Sequence, residues 1–363
     1  MQGSDMARLG EGLTWNEFKQ LPMSEKVAFF NHEGRPYHTI FPQQFNRAML
    51  DDLCGLATSI RRIAKSRSGV DFLHSLLSHK RAMLYFTQPS SRTFLSFYAA
   101  CQYLGLKPAE VRDAATSSEL KGESGEDTLR TFSSYFDLII MRSPKQGFAE
   151  RIAHLLSSTE RPIPIINAGS GKDQHPTQAL LDIYTLQRSF ERTGGIDGRK
   201  IMFVGDLLRG RTVRSLSCLL TNYRDVEQFF VTDPRLQMAP EALALLDQAK
   251  VKYRLESDFE KFIPKVDAIY MTRIQDEWDQ AGEKPVDVSR YSFKPKHLSM
   301  LAPKAILMHP LPRRQEIAAE CDKDPRAMYW RQARNGMWIR VALIAATFNI
   351  DDQIREYYRC NQA

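Results

Sequence analysis

No stretch of this sequence is apolar for long enough to cross a bilayer, and the N-terminal residues, which include Glu11, Glu17 and Lys19, contain nothing like the apolar centre of a signal peptide. A membrane-spanning or exported protein is therefore not expected, and the predicted location is the cytoplasm. Cysteine is scarce and scattered: Cys54, Cys101, Cys218, Cys321 and Cys360 are five in number, far apart, without a CxxC pair or a histidine at metal-ligand spacing. That sets aside a disulfide framework and a thiolate metal centre, and predicts reduced thiols. Internal repeats, low-complexity tracts and a glycine-rich dinucleotide fingerprint are missing as well.

What the chain does contain is 363 residues, 43% hydrophobic and 26% charged, a globular composition with room for two cores. Its formal charge is +7, but the lysines and arginines are dispersed, with no basic run or aromatic-basic module. Small acidic substrates suit such a balance as well as nucleic acid does. A nucleic-acid binder would show affinity falling steeply with salt.

Apolar spacing changes along the chain in a regular way. Residues 1–37 are weakly patterned, with a short helix expected between Trp15 and Phe30, and read as an N-terminal extension, an appendage. From Gln43 to Lys65, Phe45, Met49, Leu53, Leu56, Ile60 and Ile63 recur at helical spacing. Short apolar runs then alternate with helix-sized segments, and strands are predicted at 82–87, 137–142, 163–168, 201–205, 228–232, 268–272 and 305–309. The alternation predicts an α/β protein of two doubly wound domains, each a parallel sheet flanked by helices. The glycine-rich segment SFERTGGIDGRK, 189–200, is the expected domain boundary. An apolar-rich helix from about Ala327 to Phe348, interrupted near Asn335 and Gly336, is expected to close the chain.

The polar residues that follow these strands carry the chemistry. In FTQPSSRTFLSF, 86–97, a strand turns into a helix through Pro89, Ser90, Ser91, Arg92 and Thr93. A helix start with free N–H groups, hydroxyls and a guanidinium is suited to an anion, phosphate above all; a plain helix cap with a surface arginine is the competing reading. Later strand ends bring Arg142, His175 in a turn before Pro176, Arg211 after Asp206, Arg273, and His309 to Arg313. Any one of these arginines alone would pass as a solvated or salt-bridged side chain. Their recurrence at the carboxyl ends of parallel strands, where open sheets bind ligands, calls for an anionic partner. At the start of a helix the dipole disfavours an imidazolium, so His175 suits a neutral ring that donates to a carbonyl, although capping or packing would use it equally well.

Seven segments stand in the order and spacing of one family: FTQPSSRTFLSF, KGESGEDTLRT, IIMRSP, NAGSGKDQHPTQALLDIYTL, VGDLLRGRTVRSL, IYMTRIQDEW and MHPLPRRQEI. From about Tyr37 to the C-terminus the chain resembles the aspartate/ornithine carbamoyltransferases. The ornithine branch would bring a cysteine into the pocket motifs and an acidic residue for the side-chain amine. This chain has His175-Pro176-Thr177-Gln178 and His309-Pro310-Leu311-Pro312, and Arg273 with Gln275 offers donors to a carboxylate, so aspartate fits better.

The resemblance implies transfer of the carbamoyl group of carbamoyl phosphate to the amine of L-aspartate, a step of pyrimidine biosynthesis, with neither metal nor organic cofactor. It implies a domain at 38–188 for carbamoyl phosphate, completed by a C-terminal helix at 332–363, and a domain at 189–331 for aspartate. Ser90, Ser91, Arg92 and Thr93 would hold the phosphate. Thr93, Arg142 and His175 would polarise the carbonyl, while Gln178 and the backbone carbonyls of Pro310 and Leu311 hold the NH2 group. Arg211 would take the α-carboxylate of aspartate, and Arg273 with Gln275 its side-chain carboxylate. Ser117 and Lys121 match loop residues that the neighbouring subunit contributes in a homotrimer, the expected assembly or the core of a larger one. No nucleic-acid or membrane partner is expected.

Some positions depart from the family pattern. Phe94 stands where arginine is common, Ser143 and Arg214 replace histidines, and Leu208 and Arg209 replace a lysine and a tyrosine. The competing functional readings are a carbamoyltransferase for ornithine or another amino acid, and a non-catalytic relative that uses the scaffold for binding.

Overall fold

The computed structural model describes residues 12–113, 122–171, 174–274 and 287–361. The chain divides into two compact units, one running up to Leu180 and resuming at Gly336, the other spanning Leu181–Asn335. The first unit opens with helices α1 (Trp15–Gln20) and α2 (Met23–Phe30) and a short hairpin, β1 (Asn31–His32) and β2 (Arg35–Pro36). It continues through α3 (Arg47–Ile63), α4 (Arg67–Ser75), β3 (Arg81–Phe86), α5 (Ser91–Tyr103), β4 (Lys107–Val111), α6 (Gly125–Ser133), β5 (Leu138–Arg142), α7 (Phe148–Ser157) and β6 (Ile165–Asn167). Helix α8 (Pro176–Phe190) leads into the second unit, with β7 (Lys200–Val204), α9 (Arg211–Leu220), β8 (Glu227–Val231), α10 (Pro240–Gln248), β9 (Lys252–Glu256), α11 (Phe259–Phe262), β10 (Ala268–Met271), α12 (Pro295–Leu298) and β11 (Ile306–Met308). Helices α13 (Tyr329–Thr347) and α14 (Asp351–Cys360) then return the chain to the first unit.

Both main sheets are parallel among the described residues. The first unit has the strand order β4-β3-β5-β6, and the second β11-β10-β7-β8-β9. In each sheet the chain runs outward in one direction, then steps back to the other side of the strand where it began. The reversal falls between β3 and β5 in the first unit and between β7 and β10 in the second. Loops leaving neighbouring strands diverge at such a point and open a crevice at the carboxyl ends, where open α/β sheets hold ligands.

Strands β3, β5, β7, β8 and β10 are almost wholly buried, which is why their unbroken apolar runs were predictable. The sequence reading omitted β4 and β9, both edge strands. Their residues, KPAEV and KYRLE, mix charge, proline and exposed positions in the way that protects a sheet edge, leaving no apolar run to find. The closing helix also differs from expectation. Helix α13 passes through Asn335 and Gly336 without a break, and the Asn335 amide donates to Thr185 Oγ1 at 3.1 Å, so packing holds a sequence that local propensity would interrupt. Farther along, in the first unit, Arg340 donates to Ser96 on α5 at 2.7 Å and lies over the Phe97 ring at 4.8 Å.

Residues 12–36 are not an appendage. The side chains of Phe18 on α1 and Phe30 on α2 are fully buried with Met83, Ile139, Met141, Ile152 and Ile165 of the first unit. Helix α1 has a capping box in which Thr14 and Glu17 satisfy each other's backbone N–H groups, and Pro22 separates it from α2. The short helix expected between Trp15 and Phe30 is a pair of helices of six and eight residues, too short for a periodic signal to show which face is buried, so only the tertiary contact reveals their packing. Phe18→Ala is expected to destabilise the protein by about 3–5 kcal/mol, the usual cost of emptying a buried phenylalanine site. Denaturant unfolding measures it; a loss below about 1 kcal/mol would mean that the segment rests on the core without stabilising it.

Candidate active site

In the first unit, β3 and β5 run in register with Phe86 opposite Arg142, so the turn after β3 starts level with that arginine. The Gln88 N–H donates to the Arg142 carbonyl at 3.2 Å and keeps the two strand ends together. Ser90 then caps α5 in extended conformation, its hydroxyl making no capping bond, and the first intrahelical bond closes from Phe94 N–H to the Ser90 carbonyl at 3.1 Å. The N–H groups of Ser91, Arg92 and Thr93 precede that bond and have no intrahelical acceptor. The side chains of Ser90, Ser91, Arg92 and Thr93 make no hydrogen bond or ion pair among the described residues. Arg92 is exposed by area, yet its surroundings remove enough hydration to lower its pKa from the usual arginine value; it stays a cation. The plain-cap reading of this turn would need a capping bond that is not made.

Arg142 ends β5 with only 8% of its surface exposed. Its Nη1 donates to the Ala168 carbonyl at 3.1 Å and stands 3.5 Å from His175 Nε2. Arginine carries donors only, so on this edge the imidazole accepts. The turn that follows β6 is tied down by Asn167, whose Oδ1 accepts from Gly169 N–H at 2.9 Å and from Ser170 Oγ at 3.2 Å. Gly169 has φ +104, and a Cβ there would meet Arg142 Nη1 at 2.8 Å and His175 Cδ2 at 3.0 Å, so only glycine lets the backbone pass this close to both functional groups. Ser143, one of the departures from the family pattern, is buried and accepts from Gly171 N–H through its carbonyl at 2.9 Å. His175 precedes α8, and its carbonyl accepts from Gln178 N–H at 3.0 Å, which sets both buried side chains at one helix start.

The Ser90 turn opens onto a cavity of about 320 Å³ lined by Phe86, Pro89, Ser90, Phe94 and Arg112. Arg112 was missed in the sequence because it follows β4, the edge strand without an apolar run. Had KPAEV been read as a strand, Arg112 would have joined the arginines at strand ends.

In the second unit, Arg211 opens α9 after β7 and Arg273 lies two residues beyond β10, so both stand at the carboxyl ends that flank the β7/β10 reversal. The unusual residues of this turn support one another. Arg209 N–H donates to buried Asp206 Oδ1 at 2.9 Å with its guanidinium 3.6 Å from Oδ2, and Arg214 donates to the Leu208 carbonyl at 2.8 Å. Beyond β11, the Leu311 N–H donates to His309 Nδ1 at 2.8 Å, so the ring proton lies on Nε2 and is donated to Glu316 Oε1 at 2.8 Å. Burial alone would raise the Glu316 carboxyl; the hydrogen bond from His309 and the Arg314 N–H outweigh it, and the pKa falls below the ordinary glutamate value. His309 N–H donates in turn to Gln332, which binds Asp182, which accepts from Tyr270. This buried chain fixes Leu311 at φ +56, before the cis bond to Pro312, and neither the Pro310 nor the Leu311 carbonyl accepts a hydrogen bond among the described residues. Arg313 does not belong with the ligand-seeking arginines: Asp322 neutralises it, and the pair raises the arginine pKa and lowers the aspartate's. Ser117, Lys121 and Gln275 lie outside the described residues.

Each unit thus presents cations and hydrogen-bonding groups at its own strand reversal. Among the described residues no group of three or more histidine, cysteine, aspartate or glutamate side chains could hold a metal, and no helix is long and apolar enough to cross a membrane. Two family models match the chain in succession: the carbamoyl-P binding domain of aspartate/ornithine carbamoyltransferase over residues 37–188, and its Asp/Orn binding domain over 197–347. The chain is 41% identical over 308 residues to the chloroplastic aspartate carbamoyltransferase of Arabidopsis thaliana, covering 83% of this chain and 75% of that protein. It is 40% identical over 275 residues to the aspartate carbamoyltransferase catalytic subunit of Vibrio cholerae, covering 76% of this chain and 87% of that one. The solved Trypanosoma cruzi aspartate transcarbamoylase in complex with carbamoyl aspartate and phosphate superposes with a TM-score of 0.75 at 34% identity, over 88% of this chain and 96% of that chain. With both domain models met in order and these relatives aligned over most of its length, the chain belongs to the aspartate/ornithine carbamoyltransferase family, on its aspartate side.

Proposed function

We propose that this protein transfers the carbamoyl group of carbamoyl phosphate to L-aspartate, releasing N-carbamoyl-L-aspartate and phosphate. The observation that carries the reading is the turn Ser90 to Thr93 at the β3/β5 reversal, whose hydroxyls and guanidinium are engaged by nothing else among the described residues, beside buried Arg142 and His175. The aspartate nitrogen attacks the carbonyl carbon, the bond from that carbon to the phosphate oxygen breaks, and the proton shed by the nitrogen leaves with phosphate or solvent. Negative charge grows on the carbonyl oxygen and on the departing phosphate. Fixed donors and cations at both places lower the barrier: Arg142, His175 and Thr93 at the carbonyl oxygen, and Ser90, Ser91, Arg92 and Thr93 at the phosphate. Gln178 and the carbonyls of Pro310 and Leu311 serve the NH2 group, for which two acceptors with no other bond are suited. Arg211 takes the α-carboxylate, and Arg273 with Gln275 the side-chain carboxylate. No protein nucleophile is needed, and holding the two reactants in line supplies much of the rate.

The domain assignment of 38–188 with 332–363 for carbamoyl phosphate, and 189–331 for aspartate, belongs to this reading. So does a homotrimer in which a neighbouring subunit supplies Ser117 and Lys121. A cytoplasmic location is part of it too, supported by five cysteines that are all free of disulfides. One experiment tests the core: carbamoyl phosphate is offered with aspartate or ornithine while the solution mass is recorded. Carbamoyl-aspartate formation by a particle near three chains in mass is expected; preference for ornithine, or no carbamoyl transfer at all, would overturn the assignment.

A further inference from the structure

We infer that Arg112 is a further binding residue for the phosphoryl group of the substrate, acting from the edge strand beside the Ser90 turn. The inference rests on the proposed carbamoyl transfer and adds a residue that none of the seven family segments contains.

Strand β4 lies parallel to β3 with Val111 opposite Tyr85, so the residue after Val111 emerges at the same end of the sheet as Phe86 and the Ser90 turn. Arg112 and Ser90 line one cavity of about 320 Å³. That volume is at the small end of ligand sites, roughly 300–1,000 Å³, and suits a small phosphorylated molecule. The Arg112 guanidinium lies 4.6 Å from the centroid of the Phe94 ring. Phe94 is buried in the first turn of α5 and packs edge-on against Phe86, with centroids 5.4 Å apart and planes at 85°, so the ring is a fixed platform. A guanidinium resting on an aromatic face keeps its N–H groups available at the rim, in the fork that matches two phosphate oxygens.

Charge supports the same conclusion. Arg112 is exposed and makes no ion pair or hydrogen bond among the described residues, with neighbouring Asp113 or any other acid. The start of α5, whose capping residue Ser90 borders the same cavity, adds positive potential. A cation held over a fixed ring beside a helix N-terminus is stabilised when a dianion enters. The Ser90 hydroxyl, which makes no capping bond, borders the same cavity and supplies a neutral donor. Phe94 occupies the position where the family commonly has arginine, so here the aromatic ring and Arg112 form one unit assembled from two elements.

The test uses the full-length protein with Arg112→Ala and Arg112→Gln, the second keeping most of the side-chain bulk over Phe94 without the charge. Inorganic phosphate is titrated calorimetrically into each, and the KM for carbamoyl phosphate, the KM for aspartate, kcat and the thermal midpoint are measured. Phosphate affinity and the KM for carbamoyl phosphate should both weaken by about tenfold or more in each variant, the scale of a charge-assisted hydrogen bond. The KM for aspartate should stay within about threefold of wild type. Phosphate affinity unchanged within about twofold in both variants overturns the role, as does a lowered midpoint with intact phosphate affinity, which would make Arg112 a structural clamp on Phe94. The phosphate titration is independent of turnover, so a wild-type protein that makes no carbamoyl-aspartate would refute the proposed reaction separately.

Discussion

Arg142→Ala is expected to lower kcat by about 100- to 1,000-fold, the range found when one preorganised donor is removed from a developing oxyanion. The side chain is almost wholly buried at the end of β5 and already held at 3.1 Å by the Ala168 carbonyl, so it has little reorganisation to do as charge appears. Its interaction strengthens only as the carbonyl oxygen gains charge; the loss should therefore fall on kcat and on kcat/KM together, with a smaller change in the KM for carbamoyl phosphate. Lysine should not rescue it, because a single ammonium cannot bond the Ala168 carbonyl and face the substrate with a second planar N–H edge. Steady-state kinetics at saturating concentrations of both substrates, with circular dichroism to establish that the variant is folded, make the measurement. A folded variant whose kcat stays within about threefold of wild type would remove Arg142 from the chemistry.

Much of the first unit's site was legible because its residues sit in one continuous turn or follow fully buried strands. Ser90 to Thr93 and Arg142 come directly after apolar runs that alternation identifies without knowledge of strand order. The reversal between β3 and β5 was not legible. It depends on which side of β3 each later strand joins, and β4 gave no sign of being a strand at all. Arg112 was lost with it. The buried chain from Asp182 through Gln332 and His309 to Glu316 was equally hidden, since its links join residues 150 and 23 positions apart. Arg313 shows the opposite error: sequence placed it with the ligand-seeking cations, and only folding brings Asp322, nine positions away, against it. The N-terminal helices were underrated for a related reason. Burial of Phe18 and Phe30 is set by the surface of the first unit and has no trace in the helices' own short pattern.

Gly205→Ala should be the most damaging single methyl addition at the second unit's strand reversal. Gly205 directly follows β7 with φ +117, a conformation that L side chains rarely adopt. A Cβ built there would stand 2.1 Å from the Thr272 carbonyl oxygen and 2.5 Å from Thr272 Oγ1. Thr272 is held against the end of β7, its N–H and hydroxyl both donating to Val204 O at 2.7 and 3.1 Å, and Gly205 is anchored by Thr232 Oγ1, which donates to its carbonyl at 2.5 Å. Backbone strain of about 1–3 kcal/mol and a similar overpacking cost should act together, giving a loss of roughly 2–6 kcal/mol. Gly194→Ala separates the two contributions, for Gly194 also has positive φ, +96, but nothing lies within 4 Å of its Cβ position. At about 2–4 °C per kcal/mol, the overpacking cost alone should place the Gly205→Ala midpoint roughly 2–12 °C below that of the Gly194→Ala control. Any fraction that folds must part the ends of β7 and β10, moving Arg211 relative to Arg273, so its KM for aspartate should rise by about tenfold or more while phosphate affinity in the first unit is unchanged. A Gly205→Ala protein that melts with the control and binds aspartate normally would show that the two strand ends can separate freely, and that the arginines after them are not held in a fixed pair.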